Sequence, residues 1–243
     1  MTVLQNLHAD IVAASCALDA AGMMPNKSGN LSCRTDTGFL ITPSGIPYAV
    51  LELHQIVAVA KDGTTEPGAP RPSSEWRMHA AIYAARPDAR AIVHTHSPKA
   101  TALACAGLGL PAFHYMIALA GGDVRCVPYA TFGTAELAAR ALEGLAERRA
   151  VMLANHGVVA IGPTLDAARA VAVEVENMAG QYLALRAAGL EPRVLPPDEP
   201  EGISVGASRK LGLSGGPGLL YGPSRLSAEL SRMVLPVGHS SEG

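Results

Sequence analysis

Two spacings of apolar residues divide the first 190 residues of the chain into helices and strands. Apolar side chains recur every three or four positions over residues 3–21, and Gly22 follows them, which predicts an N-terminal helix. Shorter apolar or β-branched runs are typical of strands. They predict strands at 31–34, 38–42, 56–60, 91–94, 124–128 and 150–154, with 158–161 continuing the last of them.

Four further helices are indicated by hydroxyl or proline residues that stand before apolar runs. They are predicted to start after Ser73 or Ser74 (to residue 85), at Ser97-Pro98 (to 106), after Thr134 (to 147) and after Thr164 (to 188). Because strands and helices alternate while the hairpins are local, we expect an α/β fold with a mixed sheet between helix layers.

The composition changes at residue 191, where Pro, Gly, Ser and Glu begin to dominate. Such a segment buries too little apolar surface to form a core of its own. We therefore expect a folded domain at 1–190 and a Pro/Gly-rich C-terminal extension at 191–243. A short amphipathic piece is predicted at 224–234.

Charge and composition exclude several classes of function. The net charge is −2 and the chain has no basic run, so a nucleic-acid partner is not expected. The four cysteines have no CxxC spacing, which favours reduced thiols in a cytoplasmic protein. Neither a signal peptide nor a membrane-spanning run is predicted, so we expect no membrane partner.

Three histidines and one glutamate are candidate metal ligands. His94 and His96 are two residues apart at the end of a predicted strand, which places both rings on one face, and His156 follows another strand. Three imidazoles with an open fourth position are typical of catalytic zinc. Alternatively, these residues are polar groups at strand ends. Glu75 is either a helix-start carboxylate or a ligand and general base. His79, four residues on, is a rival ligand on the same helix face, but the other three histidines already complete a set, so we expect it to support the ligands or to pack behind them.

Two other features are candidate contacts for a substrate. Hydroxyl and glycine residues at 28–30, 42–45 and 73–74 offer an anion site, although composition alone slightly favours turns and a helix cap. Tyr115 lies in an apolar context and is a candidate proton donor, or else a core or interface tyrosine. The chain contains neither GxGxxG after a strand nor GxxxxGK[ST], so nucleotide binding is not predicted.

Seven of these stretches, in this order, resemble the class II aldolase/adducin family, and within it the bacterial L-fuculose-1-phosphate aldolases. They are residues 28–32, 40–48, 72–77, 93–96, 114–118, 128–134 and 155–157. The resemblance spans about residues 5–190. It implies a single domain with a mixed, largely antiparallel central sheet between helix layers, and a homotetramer with its active sites at the subunit interfaces.

The resemblance also implies a role for each motif. His94, His96 and His156 would bind Zn²⁺, or another divalent cation such as Mn²⁺ or Co²⁺. Glu75 would be the fourth ligand and, once the substrate displaces it, the acid/base. The substrate phosphate would be bound by small residues, namely Gly29, Asn30, Ser44, Gly45, Ser73 and Ser74.

The implied reaction is the reversible cleavage of a ketose 1-phosphate, such as L-fuculose 1-phosphate, to dihydroxyacetone phosphate and an aldehyde through an enediolate. The enzyme class is therefore a metal-dependent aldehyde-lyase acting on a small phosphorylated sugar. Tyr115 would reach a neighbouring subunit's site and serve the aldehyde end. Phe132 would line the aldehyde pocket.

Some positions depart from the fuculose enzymes and leave alternatives open. Lys27 replaces a small hydroxyl residue, and Thr95 and Ser97 resemble the epimerase branch. The alternatives are an L-ribulose-5-phosphate 4-epimerase or a sugar-acid phosphate decarboxylase. The segment at 114–117 lacks the acidic residue of the epimerases, which favours the aldolase.

A non-enzymatic adducin-head-like module is disfavoured because all four candidate ligands are present. Tyr221 is a weak candidate for an aldehyde-side tyrosine, and a methylthio- or deoxy-sugar phosphate is an alternative substrate.

Overall fold

The computed structural model describes residues 3–196 of the 243-residue chain. It contains seven strands in one sheet and five α-helices. The predicted amphipathic piece at 224–234 and Tyr221 lie outside the described residues. The division at residue 190 therefore stays a prediction.

The sheet is mixed and largely antiparallel, as the resemblance implied. Its strands are β1 (Asn30–Arg34), β2 (Gly38–Ile41), β3 (Val57–Ala60), β4 (Ala91–Thr95), β5 (Arg125–Val127), β6 (Ala150–Leu153) and β7 (Gly157–Gly162). They are arranged in the order β3-β2-β1-β4-β7-β6-β5, and only β5 and β6 pair in parallel. The hairpin predicted from residues 31–42 is β1 and β2.

Helices cover both faces of the sheet. They are α1 (Val3–Ala20), α2 (Trp76–Ala85), α3 (Pro98–Cys105), α4 (Ala135–Gly144) and α5 (Leu165–Ala187). One apolar core lies between the sheet and α1, α3 and α5, and the other lies between the sheet and α2 and α4. The predicted layers of helix, sheet and helix are therefore confirmed.

Alternation along the strands decides which core each side chain enters. On β4, Val93 packs in the core under α5 while Ile92 packs in the core under α2. On β1, Leu31 and Cys33 face the α5 side. Asn30, Ser32 and His94 consequently fall on the α2 face, which places these polar side chains beside the start of α2.

Two details of the predicted elements are wrong. The run at 158–161 does not continue the preceding strand, because the chain reverses at Asn155 (φ 57°) and β7 pairs antiparallel with β6. Helix α2 begins at Trp76, one residue later than a Ser74 cap requires and two later than a Ser73 cap requires. Glu75 holds its N-cap position, and the Ser73 hydroxyl accepts a hydrogen bond from the Glu75 N–H at 3.3 Å.

Three further observations concern the cysteines, the helices and the end of the described chain. Each of the four cysteines, all of which lie in the described part, is a free thiol. No helix between residues 3 and 196 is long and apolar enough to cross a membrane. The Leu195 N–H donates to the Ala112 carbonyl at 2.7 Å, so the chain just past residue 190 still contacts the domain.

Candidate metal centre

The antiparallel pairing of β4 with β7 brings three histidines together. His94 is in β4, His96 follows its last residue, and His156 lies in the turn that leads into β7. Thr95 pairs with Val158, so the turn before β7 lies beside the end of β4. Each pair of these imidazole rings has its centroids 4.9 Å apart.

Glu75 completes this cluster from the other side. Its Oε2 atom lies 3.0 Å from His94 Nε2, and its Oε1 atom lies 3.3 Å from His156 Nε2. One ligand atom from each of Glu75, His94, His96 and His156 lies within 4.8 Å of all the others. The four residues chosen from the sequence as ligands therefore form one cluster.

The hydrogen bonds around the cluster direct lone pairs into it. His94 Nδ1 lies 2.9 Å from the Val158 carbonyl, which only accepts, so Nδ1 carries the proton and Nε2 presents a lone pair. That atom lies 3.0 Å from His96 Nε2. Glu75 Oε1 is buried, and residues 3–196 provide no donor in hydrogen-bonding geometry for it, since His156 Nε2 is near but poorly aligned. Unpaired electron-rich atoms that converge in this way fit a bound cation.

Burial and mutual charge set the ionisation of the cluster. Burial lowers the pKa of His96 to about 3 and that of His156 to about 4, and the neighbouring His94 acts in the same direction. Burial alone would raise the pKa of Glu75, but His94 and His156 hold it below its usual value. Burial would lower the pKa of His94, but the adjacent Glu75 carboxylate raises it above its ordinary value. Neutral imidazoles and an ionised carboxylate are the forms that ligate metals, so a cation bound here would displace the second proton of His94.

A cavity of about 300 Å³ opens directly on this cluster. Its lining includes every residue that the resemblance placed at the phosphate, and also Glu75, His96, His156 and Phe132. The phosphate candidates in the lining are Gly29, Asn30, Ser44, Gly45, Ser73 and Ser74. These six candidates, which are up to 45 positions apart in the sequence, thus share one concave surface. Their individual roles stay predictions.

Glycine is required at two positions beside the cluster, Gly29 and Gly157. A Cβ on Gly29, where φ is +78°, would lie 2.5 Å from the His94 carbonyl oxygen. A Cβ on Gly157 would lie 2.4 Å from the Thr95 carbonyl oxygen and 2.9 Å from the ring of His96. Both contacts are far inside van der Waals distance, so the absence of a side chain allows the close approach on which the cluster depends.

The structure separates His79 and Tyr115 from the cluster. The His79 ring is fully buried beneath Asn30, and its Nε2 lies 2.6 Å from Asn30 Oδ1 rather than facing the other histidines. Tyr115 is 52% exposed and does not line the cavity of its own chain. Its role in a neighbouring subunit stays a prediction.

Sequence reasoning gave no role to two residues of the cavity wall, Tyr129 and Asn155. Lys27, which departs from the fuculose enzymes, also lines the cavity. Asn155 could have been suspected, because Asn tolerates the left-handed conformation that a tight turn before Gly157 needs. Tyr129 carried no signal beyond its place in the stretch at 128–134.

Comparison with known proteins agrees with this geometry. The family model described as "Class II Aldolase and Adducin N-terminal domain" matches residues 9–183. A 5-methylthioribulose-1-phosphate/5-deoxyribulose-1-phosphate aldolase of Rhodospirillum rubrum is 48% identical over 199 residues, covering 81% of this chain and 89% of that protein. An L-fuculose phosphate aldolase of Haemophilus influenzae is 41% identical, covering 76% and 86%.

A solved structure of an L-fuculose 1-phosphate aldolase superimposes with a TM-score of 0.80 at 40% identity. The match covers 84% of this chain and 96% of that one. The chain therefore belongs to the class II aldolase and adducin family, as an enzyme of the aldehyde-lyase class.

Proposed function

We propose that the protein reversibly cleaves a ketose 1-phosphate to dihydroxyacetone phosphate and an aldehyde, with one divalent cation held by Glu75, His94, His96 and His156. The observation that supports this most is the position of Glu75. One carboxylate lies against two imidazoles and also lines a cavity rich in hydroxyl and glycine residues. A phosphorylated substrate in that cavity would lie beside both the cation ligands and a base.

Zinc is the proposed cation, because three imidazoles and one carboxylate in a partly buried site suit its preference for nitrogen ligands and four-coordination. When bound, it would polarise the ketone oxygen of the substrate and stabilise negative charge that develops there. The contribution of the chain is to hold the neutral imidazoles in place. The hydrogen bond from His94 Nδ1 to Val158 does this for the most buried of them.

The phosphate is proposed to bind where Ser73 and Ser74 precede α2. The first N–H groups of a helix carry partial positive charge that favours an anion. Ser44 and Gly45 face the same cavity from another loop, and the exposed Lys27 adds a full positive charge to its rim. An ammonium group in this place would make phosphate binding depend on salt concentration.

Proton transfer at carbon is assigned to Glu75. Burial opposes ionisation of its carboxylate, but the contacts with His94 and His156 keep it ionised, so it can accept a proton from a substrate carbon placed in the cavity. Tyr115, which is exposed on the surface, is proposed to serve the aldehyde oxygen of a neighbouring subunit in a homotetramer. A cytoplasmic location is part of the same proposal.

For the aldehyde half we propose a short deoxy or methylthio chain in place of lactaldehyde. Phe132 and Tyr129 are 64% and 56% exposed beside the cavity and present apolar ring surface to it. Such a wall suits a methyl or thioether group better than a hydroxylated chain. The names of two relatives, 48% and 42% identical, include 5-deoxyribulose 1-phosphate as substrate, which supports the same choice.

A cleavage assay with product identification tests the proposal. The full-length protein is incubated with 5-deoxyribulose 1-phosphate, 5-methylthioribulose 1-phosphate and L-fuculose 1-phosphate, and with L-ribulose 5-phosphate as a control for epimerisation. We expect dihydroxyacetone phosphate from the first two at the highest kcat/KM. Faster cleavage of L-fuculose 1-phosphate would overturn the aldehyde assignment alone. Epimerisation of the pentulose phosphate without cleavage of any ketose 1-phosphate would overturn the aldolase itself.

A further inference from the structure

A row of buried polar residues lies behind the cation site and links Glu75 to side chains that the steps proposed above do not use. Asn30 and Ser32 are two residues apart on β1 and share its α2 face. His79 and Tyr83 follow Glu75 at four-residue intervals along α2, so the three share one helix face. All five side chains are buried, and Tyr83 is part of the apolar core under α2.

These residues form one continuous chain of hydrogen bonds, which we call the polar ladder. Tyr83 Oη lies 2.7 Å from Ser32 Oγ, and Ser32 Oγ lies 2.6 Å from His79 Nδ1. His79 Nε2 lies 2.6 Å from Asn30 Oδ1. Asn30 Nδ2 then donates to Glu75 Oε2 at 2.9 Å.

Chemistry fixes the direction of every bond in the polar ladder. An ionised carboxylate only accepts, so Asn30 must turn its NH₂ group to Glu75 and its oxygen to His79. That oxygen also only accepts, so the His79 proton must be on Nε2. His79 Nδ1 then accepts from the Ser32 hydroxyl, and the Ser32 oxygen accepts from Tyr83. Burial lowers the pKa of His79 to about 3, which agrees with a neutral ring.

We propose that His79 is a positioning residue that acts through Asn30 to hold the Glu75 carboxylate in its catalytic orientation. The bond from Asn30 occupies Oε2 and fixes the rotation of the carboxylate plane. The other oxygen, Oε1, has no hydrogen-bond donor within residues 3–196, so it is the atom left for the cation or the substrate proton. This inference rests on the proposed function and extends it to His79, which touches neither substrate nor cation.

The polar ladder positions the carboxylate but does not conduct protons. A proton that moved from His79 to Glu75 would have to pass through the Asn30 amide, and an amide nitrogen does not give up its proton under these conditions. Its contribution is therefore geometric. Misplacement of a catalytic group by about 1 Å costs on the order of 100-fold in rate.

Two substitutions at His79 separate positioning from simple stability. His79→Leu removes the donor to Asn30, and we expect kcat to fall about 30-fold, equivalent to about 2 kcal/mol, while KM changes less than about 3-fold. His79→Gln keeps an N–H at the end of its side chain and should recover most of that loss. Ile82→Ala is the matched control, because Ile82 is buried on the same helix among apolar side chains and has no part in the polar ladder.

Equal losses of kcat in His79→Leu and Ile82→Ala, or no recovery in His79→Gln, would overturn the proposal. Two readouts do not depend on turnover. In crystals of the variants, Asn30 Nδ2 should remain bonded to Glu75 Oε2 in His79→Gln and lose that bond in His79→Leu. The ¹⁵N spectrum of the intact protein should show a neutral His79 with its proton on Nε2. A proton on Nδ1, or an unchanged bond in His79→Leu, would contradict the polar ladder even if the proposed aldolase activity failed.

Discussion

Replacing Gly157 with alanine should damage the metal centre without replacing any ligand. Gly157 is the first residue of β7 and lies against β4. An added Cβ would lie 2.4 Å from the Thr95 carbonyl oxygen, 2.9 Å from His96 Cδ2 and 3.4 Å from His94 Cε1. The φ of Gly157 is outside the left-handed region, so alanine adds no backbone strain. Its whole effect is steric.

The size of the effect follows from these distances. Ordinary contact begins at 3.4 Å, so the Thr95 carbonyl and the new methyl group must separate by 3.4 − 2.4 = 1.0 Å. Overpacking of this kind typically costs about 1–3 kcal/mol. Metal–ligand distances tolerate only about 0.2 Å. We therefore expect a Tm lower by about 5 °C and a metal affinity that is at least about 10-fold weaker.

The assay is a competitive zinc titration with a chromophoric chelator, together with thermal unfolding of the metal-free protein. Gly180→Ala is the control, because its Cβ, inside α5, would meet only the flexible end of the Lys99 side chain, starting with Cδ at 2.7 Å. This control should bind zinc as the unmodified protein does. If Gly157→Ala also binds zinc with unchanged affinity, the close approach of β7 to the His94 and His96 segment does not shape the site.

Three other predictions concern the same site. His156→Ala removes one of three nitrogen ligands, so zinc content measured by mass spectrometry should fall below about 0.1 per chain, and a retained full equivalent would show that the ligand set is wrong. Glu75→Gln should keep most of its zinc but lose about 100-fold or more in kcat, because an amide cannot accept the substrate proton; unimpaired turnover would remove the base from the proposal. The lowered pKa of His79, about 3 against about 6.5 in the unfolded chain, means that only the unfolded state takes up this proton between those pH values. The free energy of unfolding of the metal-free protein should therefore fall by up to about 1.4 kcal/mol per pH unit from this group as the pH is lowered from 6.5, and urea titrations should show a smaller slope in His79→Gln.

The ligand cluster was accessible to sequence reasoning because its residues stand at the ends of recognisable elements. His94 and His96 have the two-residue spacing of a strand face, and His156 follows a short apolar run. Spacing alone also allowed each of these histidines to be an ordinary polar residue at a strand end. What the sequence could not show is that β4 and β7 are neighbours, since that pairing joins segments more than 60 residues apart.

The two wrong predictions, the cap of α2 and the strand at 158–161, came from local sequence patterns that fit two different structures. A hydroxyl before a helix usually caps it, but here Glu75 takes the N-cap position and Ser73 bonds to its N–H instead. Two apolar runs separated by a few residues fit one long strand or a hairpin, and the left-handed Asn155 decides for the hairpin. The polar ladder was not predicted, because it combines residues spaced two apart along β1 with residues spaced four apart along α2.

The central claim is that Glu75, His94, His96 and His156 bind one divalent cation in the working enzyme. Anomalous diffraction at the zinc edge, from crystals of the full-length protein, tests it most directly. The account predicts a single strong peak per chain, about 2.0–2.2 Å from the three Nε2 atoms and from a Glu75 oxygen. A peak elsewhere, or no peak in protein that still cleaves a ketose 1-phosphate in the presence of a chelator, would contradict it.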